Sequence, residues 1–447
     1  MRVINRKIMT SMLEWRNSDS RKPLILRGAR QVGKTTTVCK FAQNYDVFLH
    51  LNLEKSADRE LFERYDDVKE LIKAIFMHKQ QLYTENNVLI FIDEIQNSKK
   101  AVAMLRYFYE EANQFHVIVA GSLLETIIDL RKISFPVGRV QYMALRPCTF
   151  TEFLDGIGET FDLPYIESVN VDEAVHNRIM NYFREYILVG GMPAAIMEYS
   201  HNRDVLAVSD VYETLLESYS DDVEKYTSSN TMVKVIRSIL LNGWNMAAET
   251  IAFEGFGGSS FKSREMGEAF QVIQKAMLLE LVYPSSETQL PEIPNMRRRP
   301  KLLWIDTGLV NYASKIQTDV FSTSNINDVW RGRIAEHIVA QELLAISISV
   351  SAKRGYWRSN VNGSEAEVDF LYIYDGKIIP IEVKSGHNAK LKSLHMFMDK
   401  SPIDFAIRIW SNPLSVDEVA TPNGKRFRLV NVPFYYVGQL EKILRQL

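Results

Sequence analysis

A chain of 447 residues, 46% hydrophobic and 24% charged, is long enough for two or three packed domains and too apolar to be a disordered tract. Its formal charge of −2 argues against a general nucleic-acid coat, and its two cysteines, Cys39 and Cys148, lie in no CxxC pair and near no His cluster, which argues against a structural zinc site. Sparse cysteine, an N-terminus without an apolar signal core and the lack of any apolar run of bilayer length lead to the expectation of a cytoplasmic protein with no membrane partner.

In chain order, Leu24-Ile25-Leu26 is a short apolar run that ends in a glycine-bearing turn, and a helical pattern follows from Lys34 to about Ala42. Phe48 to Leu53 alternates like a strand, Leu71 to Tyr83 has helical spacing, and Val88 to Ile92 is continuously apolar, as in a strand covered on both faces. Another helical stretch precedes Val117 to Ala120. Strands alternating with helices predict a parallel sheet with helices on both sides.

The turn after the first strand reads Gly28-Ala29-Arg30-Gln31-Val32-Gly33-Lys34-Thr35-Thr36 and matches GxxxxGK(S/T) in full, between a strand and a helix. Such a loop cradles phosphate with main-chain N–H groups, so residues 28–36 are the predicted ATP contacts. Lys34 would bridge the β- and γ-phosphates, and Thr35 would complete a Mg²⁺ shell. Asp93-Glu94 end the strand 88–92; Asp93 is the expected Mg²⁺ partner and Glu94 the general base for the attacking water. Ser122, at the tip of the strand 117–120, is a candidate γ-phosphate sensor, or else an ordinary turn serine. Arg139, after the irregular run 134–137, is a candidate for neutralising γ-phosphate charge in its own chain or a neighbour's; a surface ion pair is the equal alternative.

Beyond Phe150 the pattern is mainly helical to about residue 290, with Met266, Phe270, Ile273 and Met277 on one helical face. Together with Leu281-Val282-Tyr283 and Leu302-Leu303 this suggests a winged helix, although its acidic residues favour a packing adaptor over a DNA reader. Three prolines ahead of the Arg297-Arg298-Arg299 cluster mark residues 283–300 as a wing-like loop or linker.

Strands then return. Val368 to Ile373, a turn at Asp375-Gly376-Lys377, and Ile378 to Val383 read as a hairpin. Strand alternation places Asp369, Glu382 and Lys384 on one polar face. Two carboxylates on neighbouring strands form a hard-oxygen site for Mg²⁺ or Mn²⁺, a lysine two residues on assists a metal-bound water, and Glu336 on the preceding helix adds a ligand. Charged residues on a half-exposed hairpin are the plain alternative. From Lys377 onward eleven Lys/Arg stand against six Asp/Glu, a local basic tilt.

Several of these runs resemble a widespread prokaryotic family of AAA-type P-loop ATPases: LILRGARQVGKTT from Leu24, VLIFIDEIQ from Val88, VAGSLLE from Val119, GRVQYMALRPCTFTEFL from Gly138 and VGGMPAAI from Val189. WIDTGL from Trp304, EVDF from Glu367 and IEVKSG from Ile381 are similar to the C-terminal domain of unknown function that members carry. The resemblance implies three parts in an α/β chain: a P-loop core over 1–155, a helical lid and winged-helix-like segment over 156–300, and a PD-(D/E)XK nuclease-like fold over 301–447. It matches Lys34, Thr35, Asp93 and Glu94 to the ATP site and Asp369, Glu382 and Lys384 to the nuclease-like core. Two functions follow as expectations. One is an ATPase acting on DNA or RNA through a cleaving C-terminal domain. The other is a nucleotide-controlled switch whose nuclease-like domain binds a protein partner or nucleic acid without cutting. An oligomer fits either.

Overall fold

The computed structural model describes residues 3–121, 138–227, 229–316, 332–361, 365–384 and 391–446. Strands β1 (Leu24–Arg27), β2 (Val47–Asn52), β3 (Val88–Asp93), β4 (His116–Ala120) and β5 (Gln141–Ala144) form one parallel sheet in the order β2-β3-β4-β1-β5. All six residues of β3 are buried, as its unbroken apolar run predicts. Its side chains divide by parity. Leu89 and Phe91 join Leu24, Leu26 and Ile118 in one core, while Val88, Ile90 and Ile92 join Ile25, Val117 and Val119 in another.

The first of these cores runs without a break into the rest of the molecule, through Trp304, Ile338, Ile381 and Ile407. The middle is helical, and its helix Ser263–Lys275 is followed by an antiparallel pair, β6 (Leu279–Val282) with β8 (Lys301–Trp304). Met266, Phe270 and Ile273 bury one face of that helix as their spacing predicts. Met277 does not share it: the helix ends at Lys275 and Met277 turns the chain with φ 61°.

Between β6 and β8, β7 (Pro284–Ser285) leaves to pair with β9 (Gly355–Arg358). Pairing therefore crosses position 300 twice, because the backbone groups of β6 and β7 find their partners on β8 and β9. The C-terminal part is a seven-stranded mixed sheet, β13-β14-β12-β11-β10-β9-β7. Its remaining strands are β10 (Glu367–Tyr374), β11 (Lys377–Val383), β12 (Phe405–Trp410), β13 (Ser415–Ala420) and β14 (Arg426–Pro433). β10 and β11 form the expected hairpin. Asp375 at φ 46° and Gly376 at φ 69° make the two left-handed positions that a tight hairpin of this twist requires. The chain is thus α/β, with a P-loop core on a parallel sheet, a helical middle and a C-terminal mixed sheet. No described helix is long and apolar enough to cross a membrane.

Helix Arg333–Ala345 ties the three parts together by buried polar contacts. Trp304 N donates to His337 Nε2 at 3.1 Å, and His337 Nδ1 lies 2.8 Å from Thr307 Oγ1, so the ring is neutral with its proton on Nδ1. One helical turn on, Gln341 Oε1 accepts from Thr307 N at 2.7 Å, and Glu342 Oε1 accepts from Phe150 N at 2.8 Å. Burial pushes the His337 pKa down to about 3. A histidine depressed in the fold is protonated first in the unfolded chain, so its contribution is complete above pH 6.5 and is lost as pH falls towards 3. The loss is about 2 kcal/mol at pH 5. We expect the stability gap between wild type and His337→Gln, read from urea midpoints, to be largest near pH 7 and to shrink by about that amount at pH 5.

Candidate functional site

The phosphate loop begins where β1 ends, and the helix Lys34–Phe41 starts directly after it. Gln31 at φ 63° and Gly33 at φ 92° lie in the left-handed region two residues apart, an arrangement that bends the backbone into an anion-sized concavity. Lys34 Nζ donates to Gly28 O and Ala29 O, each at 2.8 Å, so the ammonium is curled over its own loop. Burial lowers its pKa to about 8, with the Glu94 and Asp93 charges pulling the other way. A bound phosphate would favour the charged form further. Thr35 Oγ1 donates to Asp93 Oδ2 at 2.7 Å, which brings together the hydroxyl and carboxylate predicted to share Mg²⁺. Glu94 follows at φ 51° with its carboxylate accepting from Gln96 Nε2. Burial, reinforced by the Asp93 charge, raises its pKa, as suits a general base.

Gly28 has a steric reason as well. A Cβ there would overlap the Leu145 carbonyl oxygen, a backbone atom held by the Leu145 N to Arg27 O bond. Gly28→Ala must therefore shift the loop, and we expect ATP binding at least about tenfold weaker by equilibrium titration, a cost of about 1.4 kcal/mol.

Three further side chains complete the surroundings, and two of them, Arg6 and His50, were unread in the sequence. Arg6 Nη1 donates to Val32 O at 2.9 Å while its Nε lies 3.2 Å from Glu152, bracing the loop from behind. Arg30 pairs with Asp222, a buried residue at the end of helix Ser209–Asp221, so the helical middle grips the loop directly. His50, on the strand beside β3, stacks on Phe91 with ring centres 4.8 Å apart and sets Nε2 3.9 Å from Asp93 Oδ2. No spacing rule links residues 30 and 222, or 6 and 152, so these pairs had no local signal.

Two candidates remain. Ser122 lies outside the described residues. Arg139 precedes β5, whose Gln141 pairs with Leu24 at the start of β1, so it stands at the opposite end of the sheet from the loop that follows Arg27. It is paired with Glu110 at 2.9 Å. The in-chain phosphate role read for Arg139 is thereby corrected: in a parallel sheet every strand start lies on the face away from the phosphate loop.

The C-terminal cluster assembles as the hairpin predicts. The register that sets Phe370 opposite Ile381 brings Asp369 to Glu382, and Asp369 Oδ2 accepts from Val383 N at 2.7 Å. Lysines take one oxygen each of Glu382, Glu336 and Glu367. Lys384 Nζ is 2.5 Å from Glu382 Oε1, and the buried Lys301 Nζ, from β8, is 2.5 Å from Glu336 and 2.7 Å from Glu367. Burial and mutual repulsion raise the carboxyl pKa values of Glu336, Asp369 and Glu382, and the same carboxylates raise that of Lys301 against its own burial. Glu382 Oε2 is buried without a hydrogen-bond partner. Among the described residues no three His, Cys, Asp or Glu side chains stand in metal-holding geometry.

Three family models match parts of the chain. Residues 20–154 match the model of the AAA domain. Residues 180–320 and 331–417 match two domains of unknown function, DUF8612 and DUF4143. The uncharacterized protein MJ1637 of Methanocaldococcus jannaschii is 24% identical over 412 residues, covering 84% of this chain and 78% of its own. Among solved structures, the Walker-type ATPase PABY2304 of Pyrococcus abyssi aligns at 15% identity with a TM-score of 0.41, over 70% of this chain and 96% of its own. The ORC2 protein of Aeropyrum pernix aligns at 10% identity with a TM-score of 0.34, over 71% and 93%. The matched segment contains β1 to β5, the phosphate loop and the Asp93-Glu94 pair, and residues 20–154 are an AAA-type P-loop ATPase domain.

Proposed function

We propose that this chain binds and hydrolyses ATP at the loop 28–36 and couples turnover to its C-terminal domain, read as PD-(D/E)XK nuclease-like, which acts on DNA or RNA. The observation that carries the first half is the 2.7 Å bond from Thr35 to Asp93 beside the curled Lys34. Hard oxygens of this kind suit Mg²⁺, which would offset charge on the β- and γ-phosphates. Lys34 turns from its loop carbonyls to the incoming phosphates, and Glu94 takes a proton from the attacking water. Arg30 and its partner Asp222 give the helical middle a direct hold on the loop, a route by which nucleotide state reaches the rest of the chain. A role for Arg139 towards a neighbouring copy remains part of this reading, as does an oligomer.

The second half rests on Asp369, Glu382 and Lys384 converging on one hairpin, with Glu336 on the adjoining helix and one Glu382 oxygen left without a partner. A specific observation favours the alternative, a switch that binds a partner without cleavage. Lys301 already neutralises Glu336 and Glu367, the place a divalent cation would take. Incubating the full chain with ATP, Mg²⁺ or Mn²⁺ and single- and double-stranded DNA and RNA separates the two. Cutting that falls at least about a hundredfold in Glu382→Ala supports cleavage. No cutting by wild type, or equal cutting by the variant, leaves the switch.

A further inference from the structure

A cavity of about 240 Å³ lies beside the phosphate loop, where the three parts of the chain meet. Ala29 and Arg146 come from the ATPase core, Leu279 and Leu303 from the β6–β8 pair, and Gln341 and Arg354 from the C-terminal part. Its charges do not balance. Arg27, Arg146, Lys275, Lys353 and Arg354 line it against a single carboxylate, Glu280.

That carboxylate is already spent. Glu280 accepts from Arg354 N at 3.0 Å and Nε at 2.9 Å and pairs with its Nη2 at 2.8 Å, so the two neutralise each other. Arg146 is buried and has no carboxylate partner. It donates from Nε to Ser347 O at 3.3 Å and from Nη2 to Ser349 O at 2.8 Å, and no described hydrogen bond uses Nη1. Desolvation lowers its pKa to about 10; Arg354 and Arg27 add repulsion, which the Glu280 charge only partly opposes. A buried guanidinium whose near neighbours are other guanidiniums is costly unless an anion joins it.

We propose that this cavity is a second ligand site, distinct from the nucleotide loop, for a small organic phosphate. Phosphate suits the Nη1 donor of Arg146, with Arg27 adding positive charge to the lining. The apolar wall of Leu145, Leu279, Leu303 and Trp304 takes the organic body. The volume lies just below the usual range for drug-sized ligands, so the occupant is small. A ligand here touches Ala29 and the 145–147 segment on which Gly28 packs, so it adjusts the phosphate loop from behind. The inference does not rest on ATP being hydrolysed.

Isothermal titration of the full chain with phenyl phosphate tests it, with AMP-PNP and Mg²⁺ in excess to fill the nucleotide loop. Wild type is expected to bind, Arg146→Gln at least about tenfold more weakly because a charge-assisted pair is lost. Ala352→Trp, which fills the cavity without touching a charge, is expected not to bind, and it serves should Arg146→Gln fail to fold. Absence of binding by wild type with the nucleotide loop filled, or undiminished binding by Ala352→Trp, would each overturn the assignment.

Discussion

Lys34→Ala is expected to lower ATP turnover by at least about a hundredfold, the scale seen when one preorganised charge is removed from a phosphoryl-transfer or oxyanion site. The lysine is buried, bonded to two loop carbonyls, and within the field of Asp93 and Glu94. Its removal takes away the only ammonium the loop itself carries and leaves Gly28 O and Ala29 O without those donors. ATP binding should weaken as well. Glu94→Gln should behave differently: it keeps the size of the side chain and the Gln96 contact but cannot accept a proton. Binding is then retained while turnover falls about a hundred- to ten-thousandfold. Phosphate release and a fluorescent-nucleotide titration, run on both variants, separate the two roles. Normal hydrolysis by Lys34→Ala would end the assignment of the site.

The other large effect is structural. Asp306 is fully buried and caps helix Thr307–Ala313 by accepting from Leu309 N at 3.0 Å; its second oxygen accepts from Gly191 N at 2.5 Å. Gly190 must be glycine for this, since it lies at φ 68° and a Cβ would overlap the Asp306 carboxylate. Asp306→Ala leaves two buried N–H groups unsatisfied and opens a small void, a loss of about 3–5 kcal/mol. Burial raises the Asp306 pKa to about 6, so the carboxylate itself is held at a cost at neutral pH. Asp306→Asn keeps one acceptor and relieves that cost, and should lose much less. Urea midpoints of both variants at pH 7 test this; equal midpoints for Asp306→Ala and wild type would mean the N–H groups find other partners.

The run from Val189 and the run from Trp304, over a hundred residues apart, read in sequence only as family features. The structure gives them one job: Asp306 reaches Gly191, Thr307 reaches His337 and Gln341, and Tyr186 Oη lies 2.7 Å from both Cys148 O and Glu342 Oε1. Helix Arg333–Ala345 thus carries Glu336 into the acidic cluster on one side and Glu342 to Phe150 of the ATPase core on the other, while His337 and Gln341 hold Trp304 and Thr307. Replacing Asp306 is therefore expected to disturb the relation between the two candidate sites as well as the stability of the fold.

Local chemistry is what the amino-acid order determined unaided. GxxxxGK(S/T) is a run of neighbours whose glycine φ angles and helix start follow from the chain itself, and the hairpin about Asp375-Gly376 follows from alternation and a turn that demands two left-handed residues. Relations between strands were decided only by tertiary packing. Which strand lies beside β1, and hence at which end of the sheet Arg139 stands, depends on crossovers that leave no periodic mark. Likewise, Arg30 meets Asp222, and Lys301 enters the carboxylates of Glu336 and Glu367, because buried charge must be matched by whatever opposite charge the fold brings near. Pairings of that kind are set by energy in three dimensions, and spacing along the chain carries no record of them.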